Sequence, residues 1–479
     1  MDVVCSHLEK LVDFLKPQME FLNCHMVDYL VKDHWRTYIP EQVRKELKSM
    51  SDLLEAKEVF WNQFGVKNYT GAEKFPALSR HIETTKSYRL DALPGATMTL
   101  DQLRAAFDAC LKETRLKMPE LMSVKKRHEV EIASAVVASL CTVVAGKDSG
   151  IDLNRVAVID AGDGKGYLSS RVALEHGIKV LGIDSNEGHT VSAEKRRDKL
   201  KKKVRRAVKQ SDLVDDEYFK DLVENGASTV SNYKTTTKLI DFGTNLIELV
   251  REQFPDSNAT QFCLAGLHTC GNLGPNCLRL FHQNPHIKAL CNVGCCYHLL
   301  VEEFVVDRYY NPEKVKDNPG VGFPMSAFLR EKGFYLGRNS RNLAAESIER
   351  SSFNRENPSD KLGYRAMLEV VLLQLGADVD KQVGKLKCTD FVDYTRKSLK
   401  KLGVDDTEVS EELLKDLECK FQVELEQLKI FYLFRMTYAP ILEGVILLDR
   451  LLFLKESGYE NSYLTKLFDP VVSPRCYSI

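Results

Sequence analysis

Residues 156–171, VAVIDAGDGKGYLSSR, constrain the fold more than any other stretch of this chain. Four apolar residues, Val156, Ala157, Val158 and Ile159, run into Asp160, and glycines follow at alternate positions, Gly162, Gly164 and Gly166. Small residues there let a strand turn sharply into a helix and let a ligand lie against bare backbone. The third glycine comes one residue too early for G-x-G-x-x-G, so the dinucleotide fingerprint itself is not met. A second apolar run, Lys179-Val180-Leu181-Gly182-Ile183-Asp184, ends in an acid 24 residues after Asp160. A carboxylate at that strand end is placed to accept hydrogen bonds from both ribose hydroxyls of a bound nucleoside. A strand–helix–strand unit without any ligand is the plainer alternative.

Around this unit, strand signals alternate with helix signals at 156–160, 179–183, about 227–231, 261–267, 287–293 and 367–375. That alternation predicts an α/β fold with a doubly wound, mostly parallel sheet. Residues 126–146 read as a strong helix ending near Gly146. From residue 1 to about 125 the pattern is helical, with Leu8, Leu11, Val12 and Leu15 at three- and four-residue spacing, and it turns helical again beyond residue 376. The expected division is therefore a helical domain over 1–120, an α/β domain over 121–376 and a helical region over 377–479.

At 479 residues the chain is too long for one core, and 44% apolar with 28% charged residues describes a globular protein. A net charge of −1 gives no overall attraction to nucleic acid, so such affinity has to come from a local patch. Thirteen scattered cysteines fit a reducing compartment better than a disulfide framework. Asp2, His7, Glu9 and Lys10 occupy the place where a secretion signal needs an apolar core. The apolar stretch Tyr438–Leu454 carries Glu443, Asp449 and Arg450 and reads as a core helix without stable membrane insertion. A cytoplasmic location, with access to the nucleus, is the expectation.

The local patch exists. Residues 190–209, TVSAEKRRDKLKKKVRRAVK, hold ten Lys/Arg against two acids and start just beyond Asp184. A solvated helix face accounts for such a run, and so does a phosphate-contacting surface beside the ligand crevice, with RNA as the partner. The run contains no aromatic residue on which a base could stack.

Two further strand ends carry chemistry. One reads FCLAGLHTCGNL over 262–273 and the other ALCNVGCCYH over 289–298. In open α/β sheets ligands bind outside the carboxyl ends of the strands, so both tails project towards a ligand held by Asp160 and Asp184. His268 and His298 are candidate catalytic groups that hydrogen-bond or deprotonate a nucleophile, His268 foremost, since an ordinary imidazole titrates near pH 6.5. Cys270, Cys295, Cys296 and Tyr297 would form the substrate-facing wall. Small buried cysteines with backbone-satisfied histidines are the bland alternative. No metal is expected: the paired C-x2-C spacing of structural zinc is missing, and neighbours such as Cys295 and Cys296 do not easily share one tetrahedral ion. Cys270 as the nucleophile of C5-pyrimidine methylation lacks the usual Pro-Cys partner.

The run D-x-G-x-G-x-G after an apolar strand resembles the pattern of S-adenosylmethionine-binding methyltransferases. With GLHTCGNL, NVGCCYHLL, RNLAAES (341–347), YRAMLE (364–369), MSVKKRHEVE (122–131) and LLDRLLFLKE…LFDPVVSPR, the chain is similar to the methyltransferase-like protein 25 family. The resemblance is nearer to its B branch, the ribosomal RNA adenine dimethylase domain-containing proteins. It implies a Rossmann-like class I methyltransferase fold over the α/β region and S-adenosyl-L-methionine as cofactor. Asp160, Gly162, Gly164 and Gly166 would then lie near the amino-acid part of the cofactor and Asp184 at its ribose, with Lys165 facing either Asp163 or the cofactor carboxylate. Adenine-N6 enzymes carry Asn/Asp-Pro-Pro-Tyr or Asn-Leu-Pro-Tyr after the fourth strand, where this chain has LHTCGNL, so adenine dimethylation is disfavoured. The order GKGYLS, H-x-C-G, Cys-Cys and His is also similar to that of transfer RNA ribose 2′-O-methyltransferases of the acceptor stem. Those pair Cys-Cys directly with His-His and bear N-terminal zinc fingers, whereas residues 1–125 here hold only Cys5, Cys24 and Cys110. The expected function is an S-adenosylmethionine-dependent methyltransferase with RNA as candidate substrate. A non-catalytic S-adenosylmethionine-binding scaffold is the alternative.

Overall fold

The apolar run beginning at Val156 becomes the central strand of a parallel sheet in the computed structural model. The structure describes residues 1–65, 71–107, 122–146, 152–209, 232–304, 321–377, 383–384 and 386–479. Strands β1 (Val156–Ala161), β2 (Lys179–Asp184), β3 (Tyr233–Thr237), β4 (Gln261–Cys270) and β5 (Ile287–Cys295) lie in the order β3-β2-β1-β4-β5. Every neighbouring pair is parallel. Every residue of β1 is buried, because helices cover both faces of the sheet.

The two-residue period of the strands sorts their side chains into two cores. Val156, Val158, Val180, Cys263, Ala265 and Val293 pack with Val130, Val137 and Cys141 of the helix Val124–Ala145 and with Leu168 and Val172 of the helix Tyr167–His176. Ala157, Ile159, Leu181, Ile183, Phe262 and Leu264 face the other way, onto the helices Leu246–Gln253 and Leu273–Gln283. This is the Rossmann-like α/β architecture that the alternating pattern predicts, with its topological switch between β1 and β4.

Two strand expectations fare differently. The segment 227–231 lies outside the described residues, and the strand after β2 is Tyr233–Thr237. Residues 367–374 are not a strand but the second half of the helix Lys361–Gln374. Among its buried positions, Gly363, Ala366, Met367, Val371 and Leu372 recur at three- and four-residue spacing, and Leu368 and Glu369 are buried as well. A short, dense apolar run in a buried helix looks like a buried strand when only part of it is read.

The chain forms two compact units that cut across the linear three-part division. One comprises Met1–Asp13, Leu93–Ala345 and Leu442–Ile479, and includes the sheet; the other comprises Phe14–Ala92 and Glu346–Ile441. The C-terminal tail belongs with the sheet because Asn292 of β5 and Ile479 exchange backbone hydrogen bonds of 2.8 and 3.0 Å. In the helical unit the buried Lys57 of the helix Met50–Gly65 pairs with Glu426 of the helix Gln422–Met436 at 2.8 Å. By length and composition Val124–Ala145 and Gln422–Glu456 could cross a membrane, yet 50% and 83% of their most apolar windows are buried inside the protein.

Candidate active site

The glycine loop follows β1, and its three glycines adopt left-handed backbone, with φ of 80° at Gly162, 59° at Gly164 and 70° at Gly166. A side chain would be strained at each position. A Cβ on Gly162 would also lie 3.0 Å from the His268 carbonyl oxygen, and one on Gly166 would collide with the Tyr233 hydroxyl. The Gly162 and Asp163 N–H groups donate to the Ile183 carbonyl at 2.9 and 3.2 Å, which pins the loop between the ends of β1 and β2.

Asp163 holds the loop from within. Its buried carboxylate accepts the hydroxyls of Ser169 at 2.6 Å, Tyr233, and Thr235 at 3.4 Å. It occupies the space where a Cβ on Gly182 would fall. Asp160, only 2% exposed, lies beneath the same loop with Ser169 Oγ at 2.8 Å. It therefore supports the loop and presents no surface to a ligand, unlike the cofactor contact expected of it. Burial first, and then the Asp163 charge, pushes the Asp160 carboxyl well above the usual carboxylate range. Ser169 has one hydrogen for two carboxyl groups, so the pair is satisfied when Asp160 is protonated and Asp163 is not.

Asp184 does reach the surface of the crevice. It accepts the Gly164 N–H at 2.9 Å and the Asn186 N–H at 2.8 Å, with His189 Nδ1 at 3.2 Å. Since a carboxylate offers about four lone-pair sites, a ribose diol bound here would take the place of the exposed His189.

His268 stands near the end of β4 inside a polar cluster that sequence reading missed. Arg475 Nη1 lies 3.3 Å from its Nδ1, and Glu129 Oε2 lies 3.9 Å from its Nε2. Glu129, 1% exposed, also accepts the Ser473 hydroxyl. Burial, and then the Arg475 charge, pushes His268 down to about 4. The ring is therefore neutral at pH 7. Arginine has only donors, so Nδ1 accepts and the hydrogen sits on Nε2, towards Glu129. A carboxylate on the core face of an apolar helix (Glu129 beside Val130 and Ala133) was the signal available in the sequence.

His298 follows in the short turn Tyr297–Leu299. Arg341 Nη1 donates to its carbonyl at 3.1 Å, and its buried Nδ1 has no partner among the described residues. Tyr297 is not part of a substrate wall: 2% exposed, it donates to Glu443 at 3.0 Å, and the Arg450 guanidinium lies 5.7 Å from its ring. The ring is an apolar body for the core and its hydroxyl finds a half-buried acceptor. Cys270, Cys295 and Cys296, in contrast, do come together, with their Sγ atoms all within 4.8 Å of one another. The Cys270 and Cys295 thiols hold Cys296 well below the usual thiol range, and their mutual hydrogen bonding pushes Cys295 up.

The basic run lies in the helix Glu187–Lys209, which starts three residues past Asp184. Lys195, Lys199 and Lys202 are exposed on it. Arg196 folds back, with Cζ 4.1 Å from the centre of the Tyr167 ring, and Lys126 Nζ lies 4.2 Å from the same ring. Tyr167 immediately follows the last glycine of the loop, so these cations stand beside the crevice.

Residues 125–303 match a family model described as a methyltransferase domain. The chain is 30% identical to human probable methyltransferase-like protein 25, over 99% of this chain and 96% of that protein. With the mouse protein of the same name it shares 29% identity, over 98% of this chain and 95% of the relative. No solved structure matches the chain.

Proposed function

This chain belongs to the methyltransferase-like protein 25 family, and from that premise we propose that it binds S-adenosylmethionine beside β1 and β2 and methylates RNA. The observation that carries the cofactor reading is the loop of three left-handed glycines at the topological switch, with the Asp184 carboxylate beside it. A Cβ on Gly164 would meet nothing nearer than 3.9 Å, so bare backbone lies open there to a ligand. Asp184 would accept from the ribose hydroxyls, and the Gly162–Gly166 backbone would lie along the cofactor. When bound, S-adenosylmethionine supplies a methyl group already activated on a sulfonium.

In-line displacement asks the protein for orientation and, with a hydroxyl or ammonium acceptor, for proton removal. His268, whose side chain is 37% exposed, can take that proton once Arg475 withdraws from Nδ1, whereas His298, its Nδ1 buried, would need its other ring nitrogen to face the acceptor. His268, held between Glu129 and Arg475, therefore stays the first candidate base, with His298 the alternative. RNA as acceptor is supported by the exposed lysines of the helix Glu187–Lys209 and by Arg196 and Lys126 around Tyr167. Adenine N6 is disfavoured as the methylated atom, because the end of β4 offers neither a prolyl carbonyl nor an aromatic ring.

The test is incubation of pure protein with labelled S-adenosylmethionine and fractionated cellular RNA and protein. Label is expected in RNA and should be lost on treatment with ribonuclease. Label confined to protein would overturn the RNA reading, and cofactor binding with no label anywhere would make this a non-catalytic binder.

A further inference from the structure

Cys270 closes β4 and Cys295 closes β5, opposite each other in the register of the two strands, with their sulfurs 3.1 Å apart. The Gly271 N–H donates to the Cys295 carbonyl at 3.0 Å and ties the two strand ends together. On an extended strand the next residue would point to the opposite face. Cys296 does not: its φ and ψ of 52° and 48° are left-handed, and its sulfur turns back towards the other two. This turn removes the objection that neighbouring cysteines cannot share an ion. Left-handed backbone is disfavoured for a residue that carries a Cβ, and it recurs where a site needs it.

We propose that Cys270, Cys295 and Cys296 bind a divalent cation of the zinc class through three thiolates, with an exchangeable fourth position. Zinc–sulfur bonds of about 2.3 Å place the sulfurs of a tetrahedron about 3.8 Å apart. One pair stands at 3.1 Å and no pair is farther apart than 4.8 Å, so shifts of no more than about 1 Å bring the three sulfurs to that spacing. Among the described residues no other group of three or more His, Cys, Asp or Glu ligand atoms converges in this way. Charge also fits: three thiolates and a divalent ion sum to −1, and the Arg475 guanidinium is close enough for its charge to act on all three cysteines. Cys270 is exposed, so the fourth position opens to solvent on the strand-end side where substrate would enter. Three protein ligands with one open position is the composition of zinc sites that act as Lewis acids, whereas structural sites are closed by four. A disulfide between Cys270 and Cys295 would leave the backward turn of Cys296 without use.

The inference stands apart from the proposed methyl transfer, and its readout is the metal itself. The purified full chain is loaded with Zn2+ or Co2+, passed through gel filtration and analysed for metal, with absorption of the Co2+ form recorded. One ion per chain and a thiolate-to-cobalt charge-transfer band are expected. Cys270→Ser, Cys295→Ser and Cys296→Ser should each weaken binding at least about a hundredfold, beyond the loss caused by altering outer-shell partners. Cys419→Ser, on the exposed side of another helix, should leave binding unchanged. Circular dichroism and S-adenosylmethionine titration of the variants separate loss of metal from loss of fold. No retained ion after loading, an unchanged affinity in the folded Ser variants, or a Cys270–Cys295 disulfide in the protein as isolated would each overturn the proposal.

Discussion

Asp160 and Asp163 share a single Ser169 hydroxyl, and their burial makes Asp160 the one that keeps its proton. A carboxyl raised in the folded state adds stability that is complete below about pH 4 and lost as pH rises through its folded value. Asp160→Asn keeps a donor in place without a titrating group. Its unfolding midpoint at pH 7 should equal or exceed that of the wild type, with a flatter dependence on pH above about 4. A lower midpoint at pH 7 would show that Asp160 is charged there. His268 has the opposite sign. Its folded value of about 4 lies below the unfolded value, so stability is lost as pH falls from about 6.5 towards that value. Arg475→Gln removes a positive charge beside the ring, and the imidazole titration followed by NMR should move upwards; an unmoved midpoint would leave burial, with the Lys125 and Lys126 charges, as the cause. At this scale the sequence revealed positions more readily than roles. The run from Asp160 to Gly166 marked the loop, but nothing in the sequence told a protonated support such as Asp160 from a half-buried acceptor at the crevice such as Asp184. Arg475 and Glu129 lie 207 and 139 residues from His268, and only the fold brings them to it.

Gly182 sits inside β2, where it weakens a strand on local grounds, yet Asp163 fills the space above it. Gly182→Ala would push that carboxylate off Ser169 and Tyr233. Denaturant unfolding should show a loss of roughly 1–3 kcal/mol, and an unaffected stability would mean that the loop accommodates the methyl group. Strands β1, β2, β4 and β5 could be read from their apolar runs because both faces of a parallel sheet are buried. The same rule misread 367–375: a buried helix shows just as dense a run. The helix Glu187–Lys209 was legible as a charged segment, but its start beside Asp184 and the folding of Arg196 over Tyr167 were not. Changing Lys195, Lys199 and Lys202 together to Gln should weaken RNA binding for all sequences alike. It should also flatten the salt slope by about two to three. An unchanged slope would return those lysines to a solvated face.

Across the whole molecule, the sheet and its helices occupy one unit with the first 13 residues and the C-terminal tail, while helices from 14–92 and 346–441 form the other. Hydrophobic periodicity announces a helix without announcing its neighbour, so the helical segments were recognised and their grouping was not. Cys270, Cys295 and Cys296 show the same limit, since adjacency in the sequence argued against the convergence that a left-handed turn creates. The crevice proposed for the cofactor is built from elements of one unit alone: β1, β2, the glycine loop and the N-terminal end of the helix Glu187–Lys209. Calorimetric titration of the full chain with S-adenosylmethionine, beside Asp184→Ala, tests that assignment most directly. The wild type should bind, and losing hydrogen bonds to a charged acceptor, worth about 1.5–3 kcal/mol each, should weaken the variant at least about tenfold. A wild-type chain that binds no S-adenosylmethionine at any reachable concentration, or an Asp184→Ala variant that binds as tightly as the wild type, would contradict it.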